Sequence, residues 1–141
     1  MNQMIDVQIL DQKLDLICIE KKCGHPECGG MVIFNGTVRN QTKGKKVLRL
    51  EFEAYIPLAL KEMNKIARHI VDKWQAYNVV IHHRVGILNI GDSAVIIAVN
   101  TPHRKEAFEA CKYAIDKLKQ TVPIWKKEIF EDGAVWVAAH P

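Results

Sequence analysis

Serine is almost missing from this chain of 141 residues: Ser93 is the only one, and no G-x-S-x-G surrounds it. A nucleophile-elbow hydrolase therefore has nothing to build on. There is no Walker loop and no G-x-G-x-x-G, which removes the familiar glycine-rich phosphate cradles. No apolar run is long enough to span a bilayer, and the polar start MNQMIDVQ does not read as a signal peptide. The expectation is a cytoplasmic protein with no membrane partner. Cysteine is sparse, and without a secretory signal Cys18, Cys23, Cys28 and Cys111 are expected as reduced thiols. Cys23, His25 and Cys28 lack a second Cys/His pair at suitable spacing, so a tight glycine-containing turn is expected there and no metal site. Cys111 falls on an apolar helical stripe, where a thiol is inert. Glu51 and Glu53 alternate with apolar residues as the solvent face of a strand, which gives no support to a glycosidase carboxylate pair.

What is present describes an ordinary globular domain. Hydrophobic residues make up 48% and charged residues 26%, enough for one core over a single domain spanning 1–141. The net charge of +4 permits an anionic ligand but falls short of the basic stripe of a nucleic-acid binder.

Periodicity predicts a strand over Met4–Ile9, then a helix capped by Asp11, running to about Lys21 and packed by Leu14, Ile17 and Cys18. A strand follows at Met31–Arg39, with Val32, Phe34 and Val38 on one face and Gly36 marking a bulge or close approach. NQTKGKK reads as a solvated hairpin connection or as a flap over an anion. Val47–Ala54 alternates, with Leu48, Leu50, Phe52 and Ala54 inward. Pro57 opens a helix to Trp74. Strands at Val79–Val85 and Ala94–Asn100 are joined by the loop GILNIGD. His82 and His83 take opposite faces, one a core or edge histidine and the other exposed. After a third helix, Ile124–Phe130 and Ala134–Ala139 flank the hairpin signal Glu131-Asp132-Gly133. The class is α+β, a mixed and largely antiparallel sheet with three helices and a C-terminal β-hairpin.

Chemistry concentrates in Asn100–Glu128. Thr101-Pro102 predicts a helix start, with the Thr101 hydroxyl accepting a backbone N–H and His103 and Arg104 in the first turn, which suits an anion. Phe108, Cys111, Ile115 and Leu118 form the expected core stripe, and Lys119 falls in line with Phe108 and Ile115. A lysine at that edge either snorkels to water or meets an anion. With Arg39, Lys126 and Lys127, these residues make a cationic set that indicates an anion site without naming a reaction. The alternative is a basic RNA- or nucleotide-binding module, but Phe34, Phe52 and Trp74 fall on apolar faces rather than on an open stacking surface.

GTVRN at 36–40, HRVGILNIGD at 83–92, the PHR triplet at 102–104 and the run from Phe108 through DKLKQTVPIWKKE resemble the catalytic (large) subunit family of molybdopterin synthase. The likeness runs in order from about Gly29 onward, and Gly24–Gly29 resembles that family's HPxCG stretch. The resemblance implies an α/β-hammerhead type of fold and a homodimer at the centre of a heterotetramer. It implies as partner a small ubiquitin-like sulfur-carrier subunit with a C-terminal Gly-Gly, bearing a thiocarboxylate. The substrate would be cyclic pyranopterin monophosphate (precursor Z), converted to the dithiolene of molybdopterin by two sulfur transfers, with no permanently bound cofactor. By the same resemblance Thr37, Val38, Arg39, His103, Arg104, Lys119, Lys126, Lys127 and Glu128 bind substrate. His103 and Arg104 would arrive from the neighbouring copy. Lys119 is tied to catalysis, as a proton donor or acceptor or a transient acyl acceptor, and Lys126 to electrostatic positioning.

Overall fold

A computed structural model describes residues 3–138. The chain runs β1 (Met4–Leu10), α1 (Leu16–Cys23), β2 (Gly30–Thr37), β3 (Gln41–Thr42), β4 (Lys45–Ala54), α2 (Ile56–Trp74) and β5 (Asn78–Arg84). It continues β6 (Gly86–Asn89), β7 (Ser93–Thr101), α3 (Arg104–Thr121), β8 (Ile124–Phe130) and β9 (Gly133–Ala138). This is the expected α+β order with two short strands added, β3 and β6. Ala139, the expected end of the last strand, lies outside the described residues.

One sheet has the order β1-β5-β7-β2, with β1 parallel to β5 and the other pairs antiparallel. The second runs β3-β4-β8-β9, and β6 also pairs with β4. The first sheet is covered on both sides, which is why its central strands read as near-continuous apolar runs. Val79, Ile81, Ile97 and Val99 join the main core with Met63, Ile66 and Ile70 of α2 and Ala110, Ala114 and Leu118 of α3. On the opposite face Val80, Ile96 and Ala98 meet Ile19 and Cys23 of α1.

That second cover corrects the histidine expectation: His82 and His83 do point opposite ways, yet both are buried. His82 Nε2 lies 2.9 Å from Asp6 Oδ2, and Lys22 of α1 reaches the same carboxylate. Burial raises the Asp6 pKa, but hydrogen bonds from Lys22, Gln8 and His82 outweigh it and leave the group below its usual value.

Four further expectations are corrected. The first helix starts at Leu16, because Asp15 rather than Asp11 accepts the Cys18 N–H, at 3.0 Å. Ile19 and Cys23 then face the sheet one turn apart, while Ile17 and Cys18 are exposed. In β4 the pairing slips between Val47 and Arg49, so Val47 is buried and Leu48 is turned outward. GILN is a strand, since Gly86 at φ 98° turns the chain onto β4. In α3 the buried stripe is Ala107, Ala110, Cys111, Ala114 and Leu118, and Phe108 is 61% exposed. Small side chains over most of that stripe let this helix lie close on β2 and β7, and Phe108 stands on its flank.

Candidate functional site

Two pieces of local structure set the site. The first is the bulge at Gly36/Thr37, where a Cβ on Gly36 would stand 2.9 Å from Val95 Cγ1. Past it, the Val38 N–H donates to the Asp92 carbonyl at 3.0 Å, and the Gly91 N–H donates back to the Val38 carbonyl at 2.9 Å. The loop making those bonds is itself tied: Asp92 Oδ2 accepts the Asn89 N–H at 2.9 Å and Arg84 Nη1 at 3.3 Å. HRVGILNIGD thus folds into a clamp that fixes Thr37, Val38 and Arg39. Neither the clamp nor the roles of Arg84 and Asp92 were apparent from the residues alone.

The second piece is the start of α3. Gly29 N–H donates to the Pro102 carbonyl at 3.1 Å, and a Cβ on Gly30 would stand 2.8 Å from Arg104 Cα and 2.9 Å from its nitrogen. The two glycines allow the Pro102–Arg104 turn to sit directly on the start of β2. The helix begins two residues later than expected: His103 is the N-cap, without a side-chain bond, and Arg104 is the first helical residue. Thr101 ends β7, and its hydroxyl donates to the His103 carbonyl at 2.6 Å instead of accepting an N–H.

A cleft of about 420 Å³ opens where the two sheets meet the C-terminal half of α3. It gathers Thr37, Val38 and Arg39 from the end of β2 onward, Lys119 from the last turn of α3 and Lys126 from β8. Phe34, Asn35, Phe52 and His83 also line it, and sequence reasoning did not assign them to the site. Its size falls in the range of small-molecule sites. Its charge is one-sided, because no aspartate or glutamate among the described residues lines it. Among the described residues Arg39, Lys119 and Lys126 make no ion pair. Lys119 is exposed yet lines the cleft, and as a cation in the last turn it also suits the negative end of the helix.

The remaining expected residues are elsewhere. Alternation along β8 turns Lys127 to the other face, its ammonium 5.2 Å from the Trp136 ring centre. Glu128 shares the face of Lys126 but is buried beyond the cleft wall, opposite Leu50 and Val135, and its Oε2 has no partner among the described residues. His103 and Arg104 line a separate depression with Gly29, Pro102 and Lys105. Within one copy they do not join the cleft.

The thiols carry no nucleophile into the site. Burial pushes Cys23 up to about 12 and Cys111 up to about 11. Of the aromatics expected in the core, Phe52 is buried, Trp74 packs half-buried on Tyr113, and Phe34 opens onto the cleft.

Among the described residues His83 is the one histidine that lines the cleft. Its Nδ1 lies 2.8 Å from the Arg84 carbonyl, which only an N–H can satisfy, and Phe52 meets the ring edge-on at 5.3 Å. Burial lowers its pKa to about 4. A histidine near 6.5 when unfolded and near 4 when folded takes up its proton first in the unfolded chain, so stability is full above about pH 6.5 and falls as pH drops towards 4. This one group is expected to remove about 3 kcal/mol over that window. Urea unfolding at the two ends of the window checks this. The drop for wild type is to exceed that for His83→Phe by that amount, and equal drops would overturn the assignment.

The protein-family profile described as MoaE protein matches residues 9–121. A molybdopterin synthase catalytic subunit from Bacillus subtilis is 51% identical over 119 residues, 84% of this chain and 76% of its own length. The crystal structure of molybdopterin synthase from Staphylococcus aureus superposes with a TM-score of 0.87 at 45% identity, over 92% of this chain and 94% of that one. At 23% identity, a chain in the complex of subunits 1 and 2 of molybdopterin-converting factor from Helicobacter pylori shares the fold, with a TM-score of 0.79 over 96% of this chain and 93% of that one.

Proposed function

The chain belongs to the MoaE protein family, and on that premise we propose how its cleft serves the catalytic subunit of molybdopterin synthase. The enzyme works in molybdenum cofactor biosynthesis on a pterin substrate. Its reaction moves sulfur from the C-terminal thiocarboxylate of a small ubiquitin-like carrier onto cyclic pyranopterin monophosphate, twice, to form the dithiolene. The cleft is the place of transfer, and the RNA-binding alternative has no counterpart in these relatives.

One observation carries the reading: three cations, Arg39, Lys119 and Lys126, converge on a carboxylate-free cleft without ion-pair partners of their own among the described residues. Both reactants are anions, a cyclic phosphate and a thiocarboxylate. Holding two anions side by side needs just such a surplus, and guanidinium and ammonium groups supply charge-assisted hydrogen bonds to each. Arg39 takes the phosphate and Lys126 steadies the thiocarboxylate. Lys119 moves the proton as sulfur adds. Val38 fixes Arg39 through the Asp92 clamp. The second copy of the chain contributes His103 and Arg104, whose depression is open in the single copy. Two copies form the core, a carrier sits at each end, and the assembly works in the cytoplasm.

Mixing the purified chain with thiocarboxylated carrier and the cyclic pterin tests this. Mass spectrometry is expected to find the dithiolene product. Unconverted pterin beside intact thiocarboxylate would contradict it.

A further inference from the structure

His83 has no part in the site read from the residues, and its surroundings give it one. It sits on β5 with 3% of its surface exposed, yet it lines the cleft. The Arg84 carbonyl fixes the tautomer: Nδ1 carries the hydrogen, so Nε2 keeps a lone pair. Phe52 from β4 holds the ring edge-on.

The groups around it decide what that lone pair is for. Arg39 after β2, Lys119 of α3 and Lys126 of β8 line the same cleft, and all three are donors only. Arg84, next in sequence, is turned away to Asp92 and the Ile87 carbonyl. The other polar side chains of the lining are Asn35 and Thr37, both exposed. A phosphate and a thiocarboxylate use donors. A pterin bicycle also presents ring and exocyclic N–H groups, and these need an acceptor.

We propose that His83 is a substrate-binding residue, its Nε2 accepting a hydrogen bond from an N–H of the bound pterin. The inference rests on the sulfur-transfer reading for the identity of the ligand. Burial keeps the imidazole uncharged, outweighing the Arg84 carbonyl bond, so it stays an acceptor instead of becoming a fourth donor. It selects the heterocycle, where the cations hold only its charge.

Two substitutions separate this from a packing role. Asparagine at 83 keeps a donor near the Nδ1 position but ends short of the cleft; glutamine places an amide oxygen near the Nε2 position. In the assembled synthase, His83→Asn is expected to raise KM for the pterin about tenfold, the worth of one lost hydrogen bond in a closed site, with kcat and KM for the carrier little changed. His83→Gln is to restore most of that loss. Equal kinetics for the two variants would overturn the proposal.

The wild-type protein gives a reading that needs no variant. In nitrogen-15 NMR of labelled histidine, the unprotonated Nε2 signal of His83 is expected to move when the pterin alone is added, with Nδ1 staying protonated. An unmoved Nε2 signal overturns the proposal even where a variant fails to fold. Lack of dithiolene formation by the wild type would instead count against the sulfur-transfer reading, and the NMR result would still judge His83.

Discussion

Lys119→Ala is expected to lower turnover by at least about a hundredfold while leaving the carrier bound. The scale is that of a positioned proton-transfer group, about 10²–10⁴ in rate. The lysine sits in the last turn of α3, exposed along its flank, and makes no ion pair among the described residues. Removing it therefore breaks no structural bond, and the helix should fold unchanged: its buried contacts are made by Ala110, Cys111, Ala114 and Leu118. What disappears is a cation beside the reacting atoms. Single-turnover kinetics with pre-bound carrier, alongside a direct carrier-binding measurement, separates the two effects. Near-normal turnover would end the assignment, and loss of carrier binding equal to the loss of rate would make Lys119 a docking residue. A carrier adduct on Lys119 after acid quench would assign acyl capture in place of proton transfer.

Arg104→Ala is expected to cost a comparable factor, about 10²-fold in kcat/KM for the pterin, consistent with losing a charge-assisted contact to phosphate worth about 3 kcal/mol in a closed site. This would be surprising for a single copy. Arg104 is exposed and lines a depression apart from the cleft that holds Lys119 and Lys126. The large effect follows only if the guanidinium completes the cleft of a neighbour. Gel filtration should show the variant still paired, and activity within threefold of wild type would place Arg104 outside the site.

Sequence patterns resolved elements whose own residues decide them. Alternation predicts Ile124–Phe130 with its bounds, and the helix opened by Pro57 differs by one residue, Pro57 taking the second helical position; alternation and a proline in the first turn are local signals. The failures needed partners. Nothing in HH at 82–83 tells that α1 covers the second face of the sheet, so the burial of both imidazoles was illegible. Helical spacing puts Phe108 on the core stripe with Cys111 and Leu118, whereas the contact face of α3 is turned towards Ala107, Ala110 and Ala114, which admit a close approach. Leu48 left its face through a slip in pairing with β8 that only the partner strand reveals. In the site, Thr37, Val38, Arg39, Lys119 and Lys126 do share a cleft. His83 is not legible there, because the pattern that marks the site is one of positive charge and an uncharged imidazole adds nothing to it.

The account turns on cations from two copies meeting in one cleft, and mixing two inactive variants tests that most directly. Lys119→Ala and Arg104→Ala are each expected to be nearly inactive as pure pairs. In a mixed pair, one of the two sites draws its Lys119 from the Arg104→Ala copy and its Arg104 from the Lys119→Ala copy, and is therefore intact. With random re-association of equal amounts, the mixture should recover roughly a quarter of wild-type dithiolene formation, as twofold symmetry requires. Activity no higher than that of either variant alone, with mixed pairs verified by native mass spectrometry, would contradict the shared site.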